Sequence, residues 1–228
     1  EPLNPMYVST VDSGNLICYL TTLAQGLKEY YKKPLIDAAF VRGIKDTISA
    51  GLEDEQELPD DIFDFMEKQE KIDPMAWNKA LEEFIENTTL HSSMKKEWKT
   101  KSKHIGNALH HEIISFMPWV EMSLETPEQI FDGELSMKAN LLLELMRTNV
   151  TLKGLPDLSM NILKHCDKLI DEIKETSGNQ FEAQLVWLNE LKEAAEKSIQ
   201  FSREFIAQYD RLIERITVIS MNTKFTAL

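Results

Sequence analysis

The sequence predicts an all-α protein, a multi-helix bundle, on three observations. Apolar residues recur with a period close to 3.6 from Leu16 to Ile216. Only eight Gly and eight Pro occur, and they fall where this periodicity is interrupted. No succession of alternating apolar and polar segments indicates a sheet. We therefore expect helix for most residues and no sheet of three or more strands.

The first helix is predicted from the segment that follows Asp12. Asp12 is a candidate N-cap, and Asn15 occupies the position that completes a capping box. Pro34 marks the end of the pattern. The apolar positions that predict a buried stripe are spaced by four, three and four residues: Leu16, Leu20, Leu23 and Leu27.

The following helices are predicted from their apolar stripes and from their start and stop residues. Asp73 followed by Pro74 is a helix-start signal, and Pro118 ends a long pattern. The last pattern contains neither Gly nor Pro and corresponds to roughly 60 Å of helix at 1.5 Å per residue. The predicted helices cover 35–52, a short stretch after Pro59, 74–85, 93–117, 135–146, 158–173 and 180–222.

Composition and charge limit the class of partner. The 228 residues carry a net charge of −13, which repels nucleic acids and anionic membrane surfaces and favours neutral ligands or proteins. No apolar stretch approaches the roughly 20 residues that cross a bilayer, so we expect no direct membrane contact. The two cysteines, Cys18 and Cys166, lie on apolar sides of predicted helices, which predicts buried, reduced thiols in a cytosolic setting.

Two clusters invite a chemical interpretation that the residue spacing does not favour. Adjacent His110 and His111, followed by Glu112, point about 100° apart on a helix, and no pair with zinc-binding i, i+4 spacing accompanies them. We therefore predict no metal site and no cofactor. A basic run surrounds Trp98, and in so acidic a chain it is typical of a solvated helix face rather than of a nucleic-acid site.

One motif stands apart from the helical patterning. The segment from Tyr7 to Leu16 reads YVSTVDSGNL, and it mixes β-branched, small, amide and acidic residues. Together with the opening Glu1-Pro2-Leu3 and the following apolar positions, it resembles the central region of bacterial cyclic β-1,2-glucan synthases. The match covers about the first thirty residues, and a weaker one covers 205–228. In the family an Asn-Trp-Tyr-Asp segment precedes the motif, and this chain does not contain it.

The resemblance implies a fold, a function and a division of the chain. These synthases combine a glycosyltransferase, a glucoamylase-like middle domain that closes the glucan ring, and a phosphorylase-like part. The motif belongs to the middle domain, which is a toroid of paired helices. Residues 1–33 are then a toroid-derived helix, 34–204 a helical insertion and 205–228 a helix returning towards the toroid. The chain is thus expected to be a non-autonomous segment of a cytoplasmic region of an inner-membrane protein, with β-glucan and neighbouring domains of the same polypeptide as partners.

The motif also supplies the candidate site residues. Glycoside chemistry commonly needs two carboxylates, and Asp12 is the acid within the motif, so it is a candidate catalytic residue for transglycosylation or glucan processing. Candidate substrate-binding groups beside it are Tyr7, Ser13, Asn15 and the ring of Tyr19. Two alternatives stay open: Asp12 only caps its helix, or the chain is a helical protein–protein interaction module that self-associates and has no sugar site.

Overall fold

The computed structural model describes residues 10–50, 72–87, 95–122, 133–176 and 181–222. Within these ranges the chain is 89% helical and contains no strand, which confirms the prediction of an all-α bundle. Two short 3₁₀ helices accompany the α-helices, η1 at Pro118–Glu121 and η2 at Leu152–Gly154. The α-helices are α1 (Thr10–Tyr30), α2 (Ala38–Ser49), α3 (Pro74–Asn87), α4 (Lys96–Phe116), α5 (Gly133–Met146), α6 (Leu155–Thr176) and α7 (Glu182–Asn222). The short helix predicted after Pro59 lies outside the described residues.

The chain divides into two compact units. The central unit comprises residues 34–202, and the terminal unit comprises 1–33 with 203–228. Helix α7 contributes its first half to the central unit and its second half to the terminal unit. Compactness does not reveal the origin of either unit, so the assignment of 1–33 and 205–228 to a toroid stays a prediction.

Helix starts in the central unit follow the local signals in the sequence. The Asp37 carboxylate caps α2 by accepting from the Ala39 amide at 2.9 Å. Asp73 caps α3 in the same way, because its Oδ1 accepts from the amide of Met75 at 3.0 Å. Pro74 then occupies the first helical position, where the missing amide proton costs nothing. The predicted start signal at Asp73 and Pro74 is therefore confirmed.

The core of the central unit is built around two tryptophans that are completely buried, Trp77 on α3 and Trp119 on η1. The indole nitrogen of Trp119 donates to the carbonyl oxygen of Met146 at 3.1 Å, which ties η1 to the end of α5. Further buried apolar side chains come from every helix of this unit and include Ile36, Ile44, Leu81, Met117, Leu142, Leu152, Ile162, Cys166, Leu188 and Leu191.

Two buried hydroxyl groups connect the end of α4 to α6 and α7. Ser198 donates to the carbonyl oxygen of Phe116 at 2.6 Å. The Ser159 Oγ lies 2.9 Å from the Ser198 Oγ and 2.9 Å from the carbonyl oxygen of Leu155, so its one proton can be donated to either oxygen. Both serines are fully buried, so these bonds satisfy groups that would otherwise destabilise the core.

Helices α3 and α4 approach closely at Gly106. A Cβ atom added at this position would lie 2.8 Å from Cγ1 of Ile85 and 3.3 Å from Cε1 of Phe84.

We expect Gly106→Leu to destabilise the protein by about 1–3 kcal/mol, because the added atoms force these two side chains apart. Urea unfolding followed by circular dichroism measures the change. Gly43→Leu in α2 is the matched control, since open space surrounds that Cβ position. Equal stability of the two variants would contradict the close approach.

Helix α1 differs from its prediction in two respects. It begins at Thr10, so Asp12 lies within the helix and the prediction that it is the N-cap is wrong. The predicted stripe is covered only in part. Leu20 and Leu27 are half-buried, whereas Leu16 is 57% and Leu23 is 50% exposed. Ala24 is buried instead, because the side of α1 that is covered in the terminal unit is not the side that carries Leu16 and Leu23.

The two cysteines also differ from each other. Cys166 is buried and free, as predicted, and burial with the adjacent Asp167 raises the pKa of its thiol to about 12. It is therefore protonated and unreactive at neutral pH. Cys18 is free but exposed, so its predicted burial is wrong. Among the described helices, none is both long enough and apolar enough to cross a membrane.

Candidate functional site

The described part of the motif, from Thr10 to Leu16, lies on helix α1 of the terminal unit. Tyr7 is outside the described residues, and the side chains of Asp12 and Ser13 are outside the described part as well. Asn15 and Tyr19 are both exposed and are four residues apart, so they lie on the same side of the helix. The structure thus places two of the five predicted site residues on one exposed side of α1.

This exposed side of α1 is mainly apolar. Leu16, Tyr19 and Leu23 follow one another at spacings of three and four residues, which places them in one stripe. Tyr19 is 72% exposed and contributes the most open of the three side chains. We call Leu16, Tyr19 and Leu23 the α1 stripe. Its leucines suit packing against another apolar surface, and the Tyr19 ring and the Asn15 amide are groups that also contact sugars.

Within the terminal unit, a cluster of aromatic side chains packs at the end of α1. The Tyr31 hydroxyl donates to the carbonyl oxygen of Ile206 at 3.2 Å, and its ring meets the edge of Tyr209 at 5.1 Å between centroids. Phe205 stacks on Tyr209 at 5.6 Å. Burial and the Asp210 carboxylate raise the pKa of Tyr31 above its ordinary value, so this hydroxyl stays neutral and acts as a donor. The cluster fastens the end of α1 to the second half of α7.

The aromatic cluster was only partly visible in the sequence. Tyr30 and Tyr31 end the first helical pattern, whereas Phe205 and Tyr209 are four residues apart in the last one. An i, i+4 aromatic pair on a long helix is a usable signal for a packing site. It does not identify the partner, because that depends on which distant segment the fold brings alongside.

A second candidate site lies in the central unit, where three potential metal ligands meet. Nε2 of His110 on α4 lies 3.0 Å from Oε1 of Glu82 on α3. It also lies 3.9 Å from Oε1 of Glu121 on η1. One ligand atom from each residue falls within 4.8 Å of the others. We call Glu82, His110 and Glu121 the Glu–His–Glu cluster.

The histidines on α4 do not act together. His110 faces the Glu–His–Glu cluster, while Nδ1 of the neighbouring His111 lies 3.0 Å from the Ser115 hydroxyl. This divergence is what adjacent positions on a helix require. Sequence reasoning missed Glu82 and Glu121, since 28 residues separate Glu82 from His110 and no local spacing connects them.

One lysine of the basic run at the start of α4, Lys101, has local partners. Nζ of Lys101 lies 4.4 Å from the centre of the Trp98 ring, in a cation–π contact. The same ammonium group pairs with Glu97 at 2.9 Å, and it lowers the pKa of that carboxyl group. Both contacts are within one turn of the helix, as expected for a solvated face.

The two candidate sites differ in chemistry and lie in different units. The α1 stripe carries the sequence motif and offers a surface for packing and for sugar contacts. The Glu–His–Glu cluster carries carboxylate and imidazole donors on three elements of the central unit. Neither surface can be interpreted through relatives, because the sequence matches no protein-family model and no curated protein.

Proposed function

We propose that this chain is a helical segment of a bacterial enzyme like the cyclic β-1,2-glucan synthases, and that it supports transglycosylation or processing of β-glucans. In this proposal the terminal unit is a part of the helical toroid, and the central unit is an insertion between two toroid helices. The YVSTVDSGNL motif at the start of the chain supports the proposal. The exposed α1 stripe, which begins at the last residue of that motif, is the observation that carries the proposal.

The argument from the α1 stripe is one of surface chemistry. Monomeric proteins rarely expose large contiguous apolar patches, and those that they do expose commonly contact a partner. Helix α1 contacts α7 through the aromatic cluster. On its other side, the side chains of Leu16 and Leu23 are at least half exposed. A helix in a ring of paired helices is covered on two sides, by its pair partner and by the next pair. The two apolar sides of α1 fit such a position.

In the proposed toroid, side chains in and next to the motif would bind sugar. Tyr19 has an open ring that can stack on the apolar face of a glucose unit, and Asn15 is an amide beside it. Asp12 remains the candidate acid. Because such chemistry needs a second carboxylate that the motif does not supply, the neighbouring domains would have to contribute it.

We expect the double variant Leu16→Glu/Leu23→Glu to reduce β-1,2-glucan processing by at least about tenfold, because placing charges in a packed apolar contact costs several kcal/mol. The assay uses the polypeptide extended by its neighbouring domains and measures the lengths of β-1,2-glucan products. Thr21→Glu/Gln25→Glu is the matched control, since it adds the same two charges at exposed polar positions of α1 outside the α1 stripe. The isolated chain should leave linear β-1,2-glucan unchanged.

Two results would contradict the proposal. One is a Leu16→Glu/Leu23→Glu variant that is as active as Thr21→Glu/Gln25→Glu. The other is a coding sequence that, upstream of the YVSTVDSGNL motif, encodes no Asn-Trp-Tyr-Asp segment, because the resemblance places that segment before the motif.

A second candidate function is a helical interaction module. It is favoured by the exposed apolar residues on the last turns of α7, where Val218, Ile219 and Met221 are open to solvent. These side chains and the α1 stripe belong to the same unit. Self-association through the terminal unit would follow from either function, whereas loss of glucan processing follows only from the first.

A further inference from the structure

We propose that the Glu–His–Glu cluster is a binding site for a divalent cation of the zinc class. The proposal concerns only the central unit, and it is independent of the glucan-processing function. It also revises the expectation from the sequence that the chain has no metal site.

The distances between the ligand atoms resemble the ligand–ligand distances around a bound zinc ion. Nε2 of His110 lies 3.0 Å from the Glu82 oxygen and 3.9 Å from the Glu121 oxygen. In a tetrahedral zinc site with bonds of about 2.0–2.1 Å, neighbouring ligand atoms are about 3.3 Å apart. The two carboxylate oxygens lie no more than 4.8 Å apart. Side-chain rotations that close the gaps by at most about 1.5 Å therefore bring all three atoms to coordination distance.

The kind of donor atoms favours a borderline metal. Imidazole nitrogen suits zinc, copper, iron and nickel, whereas sites for magnesium and calcium are built from oxygen alone. Two carboxylates and one neutral imidazole carry a charge of −2, which a divalent cation balances. The net charge of −13 on the chain further raises the local concentration of cations.

Asn78 is an independent observation at the same place. It is only 2% exposed, and its Nδ2 donates at 3.1 Å to the same Glu82 oxygen that faces His110. A metal-binding carboxylate is commonly oriented by such an outer hydrogen bond. The Oδ1 of Asn78 is buried and has no hydrogen-bond partner among the described residues. This oxygen belongs to the same amide group as Nδ2, so an acceptor without a partner lies close to Glu82, and buried groups of this kind are often satisfied by bound water.

The site is accessible, although its centre is partly enclosed. The His110 side chain is 22% exposed, whereas those of Glu82 and Glu121 are about half exposed. An ion can therefore enter from solvent, and water can complete its coordination. Because the ligands come from α3, α4 and η1, a bound ion would cross-link α3 to α4 and to the η1 turn that follows α4. Binding to the folded state alone raises its stability by mass action.

The test measures binding of Zn²⁺ and Co²⁺ to the untagged full chain after treatment with a chelator. We expect one equivalent of Zn²⁺ by calorimetry, a Co²⁺ spectrum with visible d–d bands typical of low coordination number, and a Tm that rises with metal concentration. Glu121→Gln and His110→Gln should each weaken binding at least about tenfold, because each removes one of three protein ligands.

Two matched variants make the outcome decisive. His111→Gln and His104→Gln change exposed histidines on the same helix α4, and we expect them to bind as the unaltered chain does. Glu121→Gln tests the proposal even where His110→Gln perturbs folding, since the Glu121 side chain is half exposed. Absence of stoichiometric Zn²⁺ binding would overturn the proposal. So would equal loss of affinity in His110→Gln and His111→Gln, or a Co²⁺ spectrum that Glu121→Gln leaves unchanged.

Discussion

Trp119→Ala is expected to destabilise the central unit by about 3–5 kcal/mol, which is a large share of the stability of an ordinary domain. Trp119 is completely buried, and it is the side chain through which η1 reaches α5. Its removal leaves a cavity that the surrounding helices fill only in part. The measurement is urea unfolding of the full chain, followed by far-ultraviolet circular dichroism.

A pair of conservative variants separates the hydrogen bond of Trp119 from its volume. Trp119→Phe removes the indole donor and leaves the carbonyl oxygen of Met146 without that bond. Trp77→Phe makes the same change of volume at a second completely buried site, where the indole nitrogen has no hydrogen-bond partner among the described residues. We expect Trp119→Phe to be less stable than Trp77→Phe by about 1–3 kcal/mol.

One outcome of this comparison would contradict a stabilising role for the hydrogen bond of Trp119. If Trp77→Phe costs as much as Trp119→Phe, the bond to Met146 does not contribute to stability, and η1 is held by packing alone. Because both variants keep an aromatic ring, they remain informative even where Trp119→Ala fails to fold.

Much of the fold could be predicted because its signals are local. Asp73 and Pro74 start α3 through a side-chain cap and a fixed backbone angle, which are properties of a few consecutive residues. The absence of Gly and Pro after residue 180 likewise predicts α7, which runs over Glu182–Asn222. Such features require no knowledge of distant contacts.

Burial was less predictable, because it depends on which side of a helix meets a neighbour. The leucine stripe on α1 has the correct period, yet Leu16 and Leu23 are exposed while Ala24 is buried. Periodicity identifies an apolar side and does not reveal whether another segment covers it. The same limitation explains the incorrect burial predicted for Cys18.

The Glu–His–Glu cluster was not predictable for a different reason. Its three residues come from α3, α4 and η1, and each has an ordinary local sequence context. Only the packing of α3 against α4, which the small Gly106 permits, brings Glu82 to His110. The consecutive histidines indicated both His110 and His111, but only His110 belongs to the cluster, since His111 faces Ser115.

The other large effect is expected on removal of the terminal unit. A fragment of residues 34–202 should fold cooperatively and remain monomeric, while the full chain self-associates. The central unit holds both completely buried tryptophans and nearly all of the fully buried apolar side chains, so it contains a core of its own. The terminal unit holds the α1 stripe and the exposed apolar residues near the end of α7.

Deleting only residues 1–33 should give a different result. That deletion removes the α1 stripe, but it also removes Tyr30 and Tyr31, whose rings contact Tyr209. Phe205, Tyr209 and their neighbours on α7 then lose their cover, so the fragment 34–228 should fold and still associate through the second half of α7. Only the further removal of 203–228 should yield a monomer.

Sedimentation velocity over a range of concentrations distinguishes these fragments, and urea unfolding shows whether each one folds. The full chain carrying Leu16→Glu and Leu23→Glu is the matched control, because it keeps both units and should associate less than the unaltered chain. If fragment 34–202 unfolds, the terminal unit is integral to the core, and the division into a toroid helix and an independent insertion is wrong. If it folds but still associates, the surface responsible lies in the central unit, and the α1 stripe is not the partner-binding side of this protein.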